Sequence, residues 1–157
     1  SRGLGDVYKR QVPGRAVVHL LITQRVHFAG LLEAVGPDRD FIDVDPDPSG
    51  KDMAPVYELY EALKTLPKIG PTIASKLVAR KRPRLFPIID AELRQTVFHE
   101  TRKDGYVGRA LLHAEFSAQE RTIWQRLASY HSAASLPTEV SVLRVFDVLA
   151  WMEAKAY

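Results

Sequence analysis

One stretch of the chain decides the fold: Leu66-Pro67-Lys68-Ile69-Gly70-Pro71-Thr72-Ile73-Ala74-Ser75-Lys76-Leu77. Pro67 and Gly70 interrupt it, and both residue types mark turns. Pro71 suits the first position of a helix, where a missing N–H group costs nothing. The first N–H groups of a helix have no partner within it, and the positive end of its dipole lies there. The stretch therefore predicts two helices joined by a short turn whose amides face outward and attract an anion.

Apolar residues lie at helical spacing on both sides of this turn. A helix over 55–66 carries Val56, Leu59, Tyr60, Leu63 and Leu66 on one stripe, and a helix over 71–81 carries Ile73, Leu77 and Val78. Similar patterns predict helices over 12–36 (with a break near Thr23), 91–100, 107–116, 117–134 and 138–153. No segment alternates as a strand does. We therefore expect an all-α fold, a single compact domain of six to eight short helices with a central helical hairpin at about 55–82.

Three further expectations concern packing. The last predicted helix is apolar on most sides, which favours a central position in the core. Trp124 and Trp151 lie on helical stripes and are expected to be core residues. The segment 38–55 is rich in Asp and Pro. Its Asp-x-Asp-x-Asp spacing resembles a calcium loop but lacks the glycine and the closing Glu, so it is expected to be a solvated connection.

Composition excludes several classes of site. The chain has no Cys, which excludes disulfides, thiolate zinc sites and iron–sulfur clusters from this sequence. Its five His residues show no metal-ligand spacing, and we expect no metal and no cofactor. No apolar run approaches the roughly 20 residues of a membrane span. A cytoplasmic protein with no membrane partner is the expectation.

The first eleven residues, Ser1 to Gln11, match the translation of a transposon-end sequencing adapter, and we interpret residues 1–11 as a non-native tail. On this interpretation, residues 12–157 form the helical domain and its true N-terminus is missing. The tail holds three cations and one carboxylate, so its removal lowers the formal net charge from +3 to +1. Any affinity for nucleic acid then requires a local basic patch rather than the overall charge.

The central stretch resembles the helix-hairpin-helix element of DNA repair and replication proteins, whose pattern is Leu-Pro-Gly-hydrophobic-Gly followed by Thr-Ala. Lys68 stands where that pattern has its first glycine. The resemblance implies non-specific contact with the phosphates of double-stranded DNA through the turn amides, with cations added downstream. The implied DNA-contacting residues are Lys68, Ile69, Gly70, Thr72, Lys76, Arg80, Lys81, Arg82 and Arg84. The alternative is that these cations simply form a solvated helix face.

Asp90 lies twenty positions after Gly70, an interval that resembles the one between the hairpin and the catalytic Asp of the endonuclease III-like DNA glycosylases. A carboxylate there would stabilise an oxocarbenium-like sugar or activate a water. Ala91-Glu92-Leu93 follows it instead of Thr-His-Val, and Thr72 replaces the lysine of lyase-active members. The alternative role for Asp90 is the N-cap of the next helix, and the two roles are compatible.

A second resemblance covers nearly all of residues 12–152. Three stretches carry it: 12–16, 79–90 and 141–152. They are similar to an uncharacterised bacterial family, a domain of unknown function, which implies no activity. Arg144 and Asp147 are spaced to form an ion pair with each other, and the alternative is an ion pair with the basic connector that holds Arg82 or Arg84 in place. Three functions therefore stay open: DNA contact, a monofunctional base-excision enzyme that uses Asp90, and a protein-interaction module that binds no nucleic acid.

Overall fold

The computed structural model describes residues 12–96, 98–99 and 105–156; the predicted adapter tail lies outside them. The fold is all-α, as predicted, and the described residues contain no strand. The helices are α1 (Gly14–Val18), α2 (Arg25–Val35), α3 (Ala54–Lys64), α4 (Pro71–Lys81), α5 (Ala91–Thr96), α6 (Tyr106–Ala133) and α7 (Val142–Lys155). A π-helical turn, His19–Thr23, joins α1 to α2, and a 3₁₀ turn occupies Phe41–Asp43.

Helix α3 is the centre of the core. It packs against both α2 and α4. The five residues of its predicted stripe are all at most 5% exposed: Val56, Leu59, Tyr60, Leu63 and Leu66. Burial of each such side chain contributes about 1.5–3 kcal/mol. The two helices α3 and α4 contact each other and are joined by a turn at residues 65–70, close to the predicted position.

The connection between α2 and α3 corrects one expectation. We expected a solvated segment, yet Phe41, Ile42, Val44 and Met53 are buried in it. Asp45 and Asp47 are exposed and bond within the loop, as when Asp47 accepts from the N–H and hydroxyl groups of Ser49. The loop is therefore polar outside and apolar inside, and it covers one end of the core.

Helix α6 consists of two helical segments separated by a sharp break at residues 118–121. The sequence suggested two helices, with Ser117 and Glu120 forming a capping box at the start of the second. In the structure, Gln119, Glu120 and Arg121 adopt left-handed backbone angles (φ 47°, 57° and 64°), which cost roughly 1–2 kcal/mol each. Ser117 lies near His113 instead of capping the next turn. The break is where we predicted it, but the capping box is wrong.

Helix α7 also differs from expectation. It begins at Val142 rather than 138, and Leu143 is its only side chain among the buried core residues that the structure describes. Val148, Leu149, Trp151 and Met152 are 42–57% exposed. The helix packs on α5 and α6 with one face and leaves the rest open. The expectation of a central helix with a buried Trp151 is therefore wrong, whereas Trp124 packs against the core through Phe116.

The N-terminal helices are similarly exposed. Val17, Val18, Leu21, Ile22 and Val26 are 38–87% exposed, although we expected several of them to face the core. The predicted break near Thr23 is confirmed, because the π-helical turn ends there. None of the helices in the described part of the chain combines the length and the apolar character needed to cross a bilayer.

A buried arginine ties α6 to the middle of the chain. Arg109 is 1% exposed, and its guanidinium carbon lies 3.9 Å from the centroid of the Phe86 ring. Its Nε donates to the carbonyl of Pro87 (3.1 Å) and its side-chain nitrogen donates to the hydroxyl of Ser75 (2.8 Å). Gly105 caps α6 with φ 72° and lies directly against this guanidinium.

We expect Gly105→Ala to lower the free energy of unfolding by at least about 2 kcal/mol, measured by urea denaturation. A Cβ at this position would lie 2.6 Å from a guanidinium nitrogen of Arg109, and the positive φ is unfavourable for alanine. Gly30→Ala in α2 is the matched control. A Cβ there meets nothing within 4 Å, so the variant should be about 0.5–1 kcal/mol more stable. Equal effects of the two substitutions would contradict this account.

Candidate nucleic-acid interface and the adjoining cleft

The turn between α3 and α4 presents fewer free amides than the sequence suggested. Pro67 and Lys68 are exposed, whereas Leu66 and Ile69 are buried. The N–H of Ile69 donates to the carbonyl of Leu66 (3.2 Å) and closes the turn. The amide of Ile69 therefore stabilises the turn itself, and its side chain anchors the turn to the core.

Lys68 has φ 58°, the left-handed conformation that glycine favours. The sequence resemblance placed a glycine of the family pattern at this position, and the structure supplies the reason: the chain must turn sharply here. Lysine adopts this conformation at a cost of roughly 1–2 kcal/mol and gains an exposed ammonium group beside the start of α4.

The N-terminus of α4 has no side-chain cap. Gly70 is its N-cap residue in extended conformation, and Pro71 occupies its first position. In the part of the chain that the structure describes, no acceptor is recorded for the N–H groups of Gly70, Thr72 or Ile73. These amides and the helix dipole favour a negative charge at this end.

Three cations of α4 extend this positive end. Lys76, Arg80 and Lys81 are exposed, and no ion pair is recorded for them among the described residues. Thr72, Lys76 and Arg80 are four residues apart, so they form one row along the helix that spans about 12 Å. We call Lys68, the free amides of α4 and this row the basic ridge.

The remaining two predicted cations bond to the protein itself. Arg82 donates from Nε to the carbonyl of Gly36 (2.6 Å) and from a terminal nitrogen toward Leu32, so it satisfies the end of α2. Arg84 forms a two-point ion pair with Asp40, with both N···O distances 2.9 Å. Arg82 therefore binds the end of α2 and Arg84 binds the loop before α3, so neither cation extends the basic ridge.

A cleft of about 710 Å³ opens beside the basic ridge, between α4, the start of α5 and α7. Its walls are mostly apolar. Its lining includes Thr72, Ile73, Lys76, Ile88, Asp90, Ala91, Leu93, Arg144, Asp147, Val148, Ala150, Trp151 and Lys155. A largely apolar cleft with a few convergent polar groups has the composition of a small-molecule site.

Asp90 lies on the wall of this cleft and is partly exposed. Its Oδ1 accepts from the N–H of Leu93 (2.8 Å), so it caps α5 as the alternative role predicted. One carboxylate oxygen is used by the cap, while the residue remains accessible from the cleft. The structure thus brings Asp90 and two predicted DNA-contacting residues, Thr72 and Lys76, to the same cleft.

Asp147 is a second carboxyl group in the cleft, and its side chain is only 14% exposed. Burial raises the pKa of Asp147 to about 7, against the attraction of Arg144 and Arg109, and the charge of Asp90 adds to the rise. Arg144 donates to its Oδ2 (3.0 Å), which confirms the predicted ion pair. Its Oδ1 is buried without a hydrogen-bond partner among the described residues.

The cleft was not predicted from the sequence. Trp151 and Asp147 lie on a helix whose apolar sequence predicts a position in the core. Only the packing of α7 against α5 shows which face of the helix remains open. The spacing of Arg144, Asp147, Trp151 and Lys155 is the signal that was available, because these residues form one polar and aromatic stripe along α7. The described residues contain no group of three metal-ligating side chains.

We expect Asp147→Asn to become progressively more stable than the wild type as the pH rises from 4.5 to 7.5. Over this window the folded carboxyl group holds a proton that the unfolded chain releases, so the free energy of unfolding of the wild type falls with pH. At pH 4.5 the two proteins should be nearly equal. At pH 7.5 the difference should reach a few kcal/mol in urea denaturation.

Glu139→Gln, at an exposed position, is the matched control and should show a flat difference from the wild type across this range. A stability difference for Asp147→Asn that does not change with pH would show that this carboxyl group is ionised in the folded protein at neutral pH.

A family model described as a family of unknown function, DUF6308, matches residues 7–154. This match confirms the predicted membership of a domain-of-unknown-function family. It begins within the segment that we interpret as adapter-derived, and that interpretation stays a prediction. No curated protein and no solved structure matches the chain. Because the matched range takes in nearly the whole sequence, the chain belongs to the DUF6308 family.

Proposed function

We propose that this protein contacts DNA non-specifically through backbone phosphates, with the basic ridge as the contact surface. The observation that carries the proposal is the uncapped start of α4, flanked by exposed cations that lack carboxylate partners among the described residues. A phosphate oxygen at this position accepts from the amides of Gly70, Thr72 and Ile73 and lies near the ammonium group of Lys68.

The chemistry of the ridge explains why the contact lacks sequence preference. Amides at a helix start and flexible lysine side chains recognise phosphate charge, which every nucleotide carries. The ridge contains no Asn or Gln, the side chains that pair with the edge of adenine. Of the nine residues implied by the resemblance, we therefore retain Lys68, Gly70, Thr72, Lys76, Arg80 and Lys81. Ile69 is buried, and Arg82 and Arg84 bond to other parts of the protein, so these three residues are not retained as DNA contacts.

We expect Lys68→Gln combined with Lys76→Gln to weaken binding to duplex DNA and to reduce the slope of log K against log salt concentration by about 2. Each lost phosphate contact removes about 0.9 from that slope. The measurement is fluorescence anisotropy with a labelled duplex at several salt concentrations.

Arg126→Gln, on the exposed side of α6, changes a cation away from the ridge and should leave the slope unchanged. Unchanged binding by the double variant, or an equal loss with Arg126→Gln, would overturn the proposed contact surface.

The cleft favours a second candidate function, a base-excision enzyme that uses Asp90. Such an enzyme needs a pocket for an extruded base beside its carboxylate, and the cleft of about 710 Å³ beside Asp90 and the proposed phosphate surface supports this candidate. Ionised Asp90 would stabilise positive charge on the sugar as the glycosidic bond breaks. The resemblance, with Thr72 in place of a lysine, favours release of the base without strand cleavage.

Asp90→Asn tests this function with little disturbance of the fold, because asparagine caps helices as well as aspartate does. We expect wild-type protein to release a base from at least one duplex of a panel with uracil, hypoxanthine or N-alkylated purines, scored by alkaline strand cleavage. The variant should lose this activity by at least about a hundredfold and should retain duplex binding. Absence of base release from the whole panel, or equal release by the variant, would remove this function.

The third function, a protein-interaction module, is favoured by a different surface. The apolar side chains exposed on the π-helical turn and at the start of α2, Leu21, Ile22 and Val26 among them, lie on elements separate from the basic ridge. Exposed apolar patches are typical of interaction surfaces. This surface is compatible with DNA contact elsewhere on the molecule.

A further inference from the structure

A second hollow, of about 410 Å³, adjoins the cleft on the side of Val12. Four residues line both spaces: Ile73, Lys76, Ile88 and Arg144. The cleft and the second hollow therefore form one groove along α4 and α7. Neither DNA contact nor the role of Asp90 uses the whole of this groove.

Three cations border the second hollow, which we call the cationic end of the groove. They are Lys76, Arg80 and Arg144. Lys76 and Arg80 lie one turn apart on α4, about 6 Å along its axis, and Arg144 comes from α7. No described carboxylate lines this hollow. Because a wall with one sign of charge concentrates ions of the opposite sign, the cationic end favours an anion.

The donors of these cations are available to a ligand. Lys76 and Arg80 are exposed, and no hydrogen bond or ion pair is recorded for their side chains among the described residues. Arg144 gives one terminal nitrogen to Asp147 (3.0 Å). For its other two side-chain nitrogens, no partner is recorded in the part of the chain that the structure describes. An acidic group with two or more oxygens can therefore accept hydrogen bonds from several of these cations.

The cleft forms the other end of the groove, which we call the apolar end. Its walls include Ile73, Leu93, Val148 and the half-exposed indole of Trp151. The charged side chains of this end already have partners. Asp90 caps α5 with Oδ1, and Asp147 pairs with Arg144. Lys155 also has a partner within the protein. The accessible surface that remains suits an uncharged hydrocarbon or aromatic body.

We propose that the groove binds an amphipathic anion, a small molecule whose acidic group lies at the cationic end and whose apolar body lies against Trp151. The acidic group offers anionic oxygens, as a carboxylate or a phosphate monoester does. The cations alone would retain any anion, and the apolar walls alone would retain any hydrocarbon. Together they select a molecule that carries both. This binding requires no contact with DNA and no release of a base, so the inference goes beyond the proposed functions.

The test is isothermal titration calorimetry with four probes, each below the concentration at which it forms micelles: decanoate, decyl phosphate, decanol and decyltrimethylammonium. The probes share one hydrocarbon body and differ in the head group. We expect one of the two anions to bind at least about tenfold more tightly than decanol, because only a charged acceptor gains charge-assisted hydrogen bonds from the cations. The tighter anion identifies the acidic group. Equal affinity of decanol and both anions, or tighter binding of decyltrimethylammonium, would overturn the proposal.

The direction of the ligand in the groove is tested by tryptophan quenching. Bromine quenches an indole only in close contact. The tighter anion should therefore quench strongly when brominated at its terminal carbon and weakly when brominated near its acidic group. Trp151→Phe should remove the quenching and keep the calorimetric affinity within about threefold, because phenylalanine retains most of the apolar contact. Quenching that persists in Trp151→Phe, or stronger quenching by the second derivative, would show that the body lies elsewhere and would overturn the proposal.

Substitutions at the cationic end test the role of charge. Lys76→Gln combined with Arg80→Gln should weaken binding of the tighter anion at least about tenfold and leave decanol unaffected. Arg144→Gln combined with Asp147→Asn removes the third cation together with its partner, so no carboxyl group is left unpaired, and should weaken the anion similarly. Arg126→Gln, an exposed cation of α6, is the matched control and should change neither affinity. Undiminished anion binding by both double variants would overturn the proposal.

Lys68 separates this inference from the proposed contact with DNA, because it belongs to the basic ridge and lines neither part of the groove. Lys68→Gln should weaken duplex binding and leave binding of the anion unchanged. Anion binding by a protein that does not bind duplex DNA overturns the basic ridge and supports the groove site. Duplex binding with an intact salt slope, but without preference for either anion over decanol, overturns the groove site alone.

Discussion

The buried guanidinium of Arg109 is the interaction on which the rest of the structure depends. It contacts two separate parts of the chain: Ser75 of α4, and the connector through the Pro87 carbonyl and the Phe86 ring. Arg109 itself belongs to α6. A buried charge costs several kcal/mol unless its donors are satisfied, so these partners must stay in place for the fold to remain stable. Arg109 thereby fixes the path of the connector that ends at Asp90.

Ion pairs on the opposite side of α4 explain why the basic ridge is confined to one surface. The acidic loop before α3 neutralises Arg84 through Asp40, and the end of α2 takes up Arg82 through backbone carbonyls. The exposed pair contributes little to stability by itself. Its larger effect is on charge distribution, because among the described residues Lys68 beside the start of α4 and Lys76, Arg80 and Lys81 along it remain without ion pairs. A chain with a small net charge thus keeps a concentrated positive surface.

The sequence was sufficient where local chemistry decides structure. Proline and glycine positions located the turn at 65–70, the apolar stripe of α3 identified buried residues, and Asp90 was identified as a helix cap. Local chemistry could not reveal Arg109, because an arginine in an amphipathic helix normally faces solvent. It also misplaced α7. An apolar helix is buried only if other elements cover it, and the contacts of α7 with α5 and α6 leave Trp151 and Val148 uncovered. Tertiary packing determines the burial of Arg109 and the exposure of α7, and the hydrophobic periodicity of the sequence does not reveal either.

Helix α4 borders both the basic ridge and the cleft. Thr72 and Lys76 belong to the basic ridge and also line the cleft, so a phosphate at the helix start lies at the edge of the space that holds Asp90 and Asp147. A nucleotide carries its phosphate and its base on one sugar. The ridge, where a phosphate would bind, likewise lies next to the cleft, where a base would bind. In the proposed functions, the ridge would supply affinity without selecting a base, and the cleft adds an aromatic face and two carboxyl groups, of which Asp147 has its pKa raised by burial to about 7. Selectivity for a ligand would then depend on α7, the helix that the sequence alone would have assigned to the core.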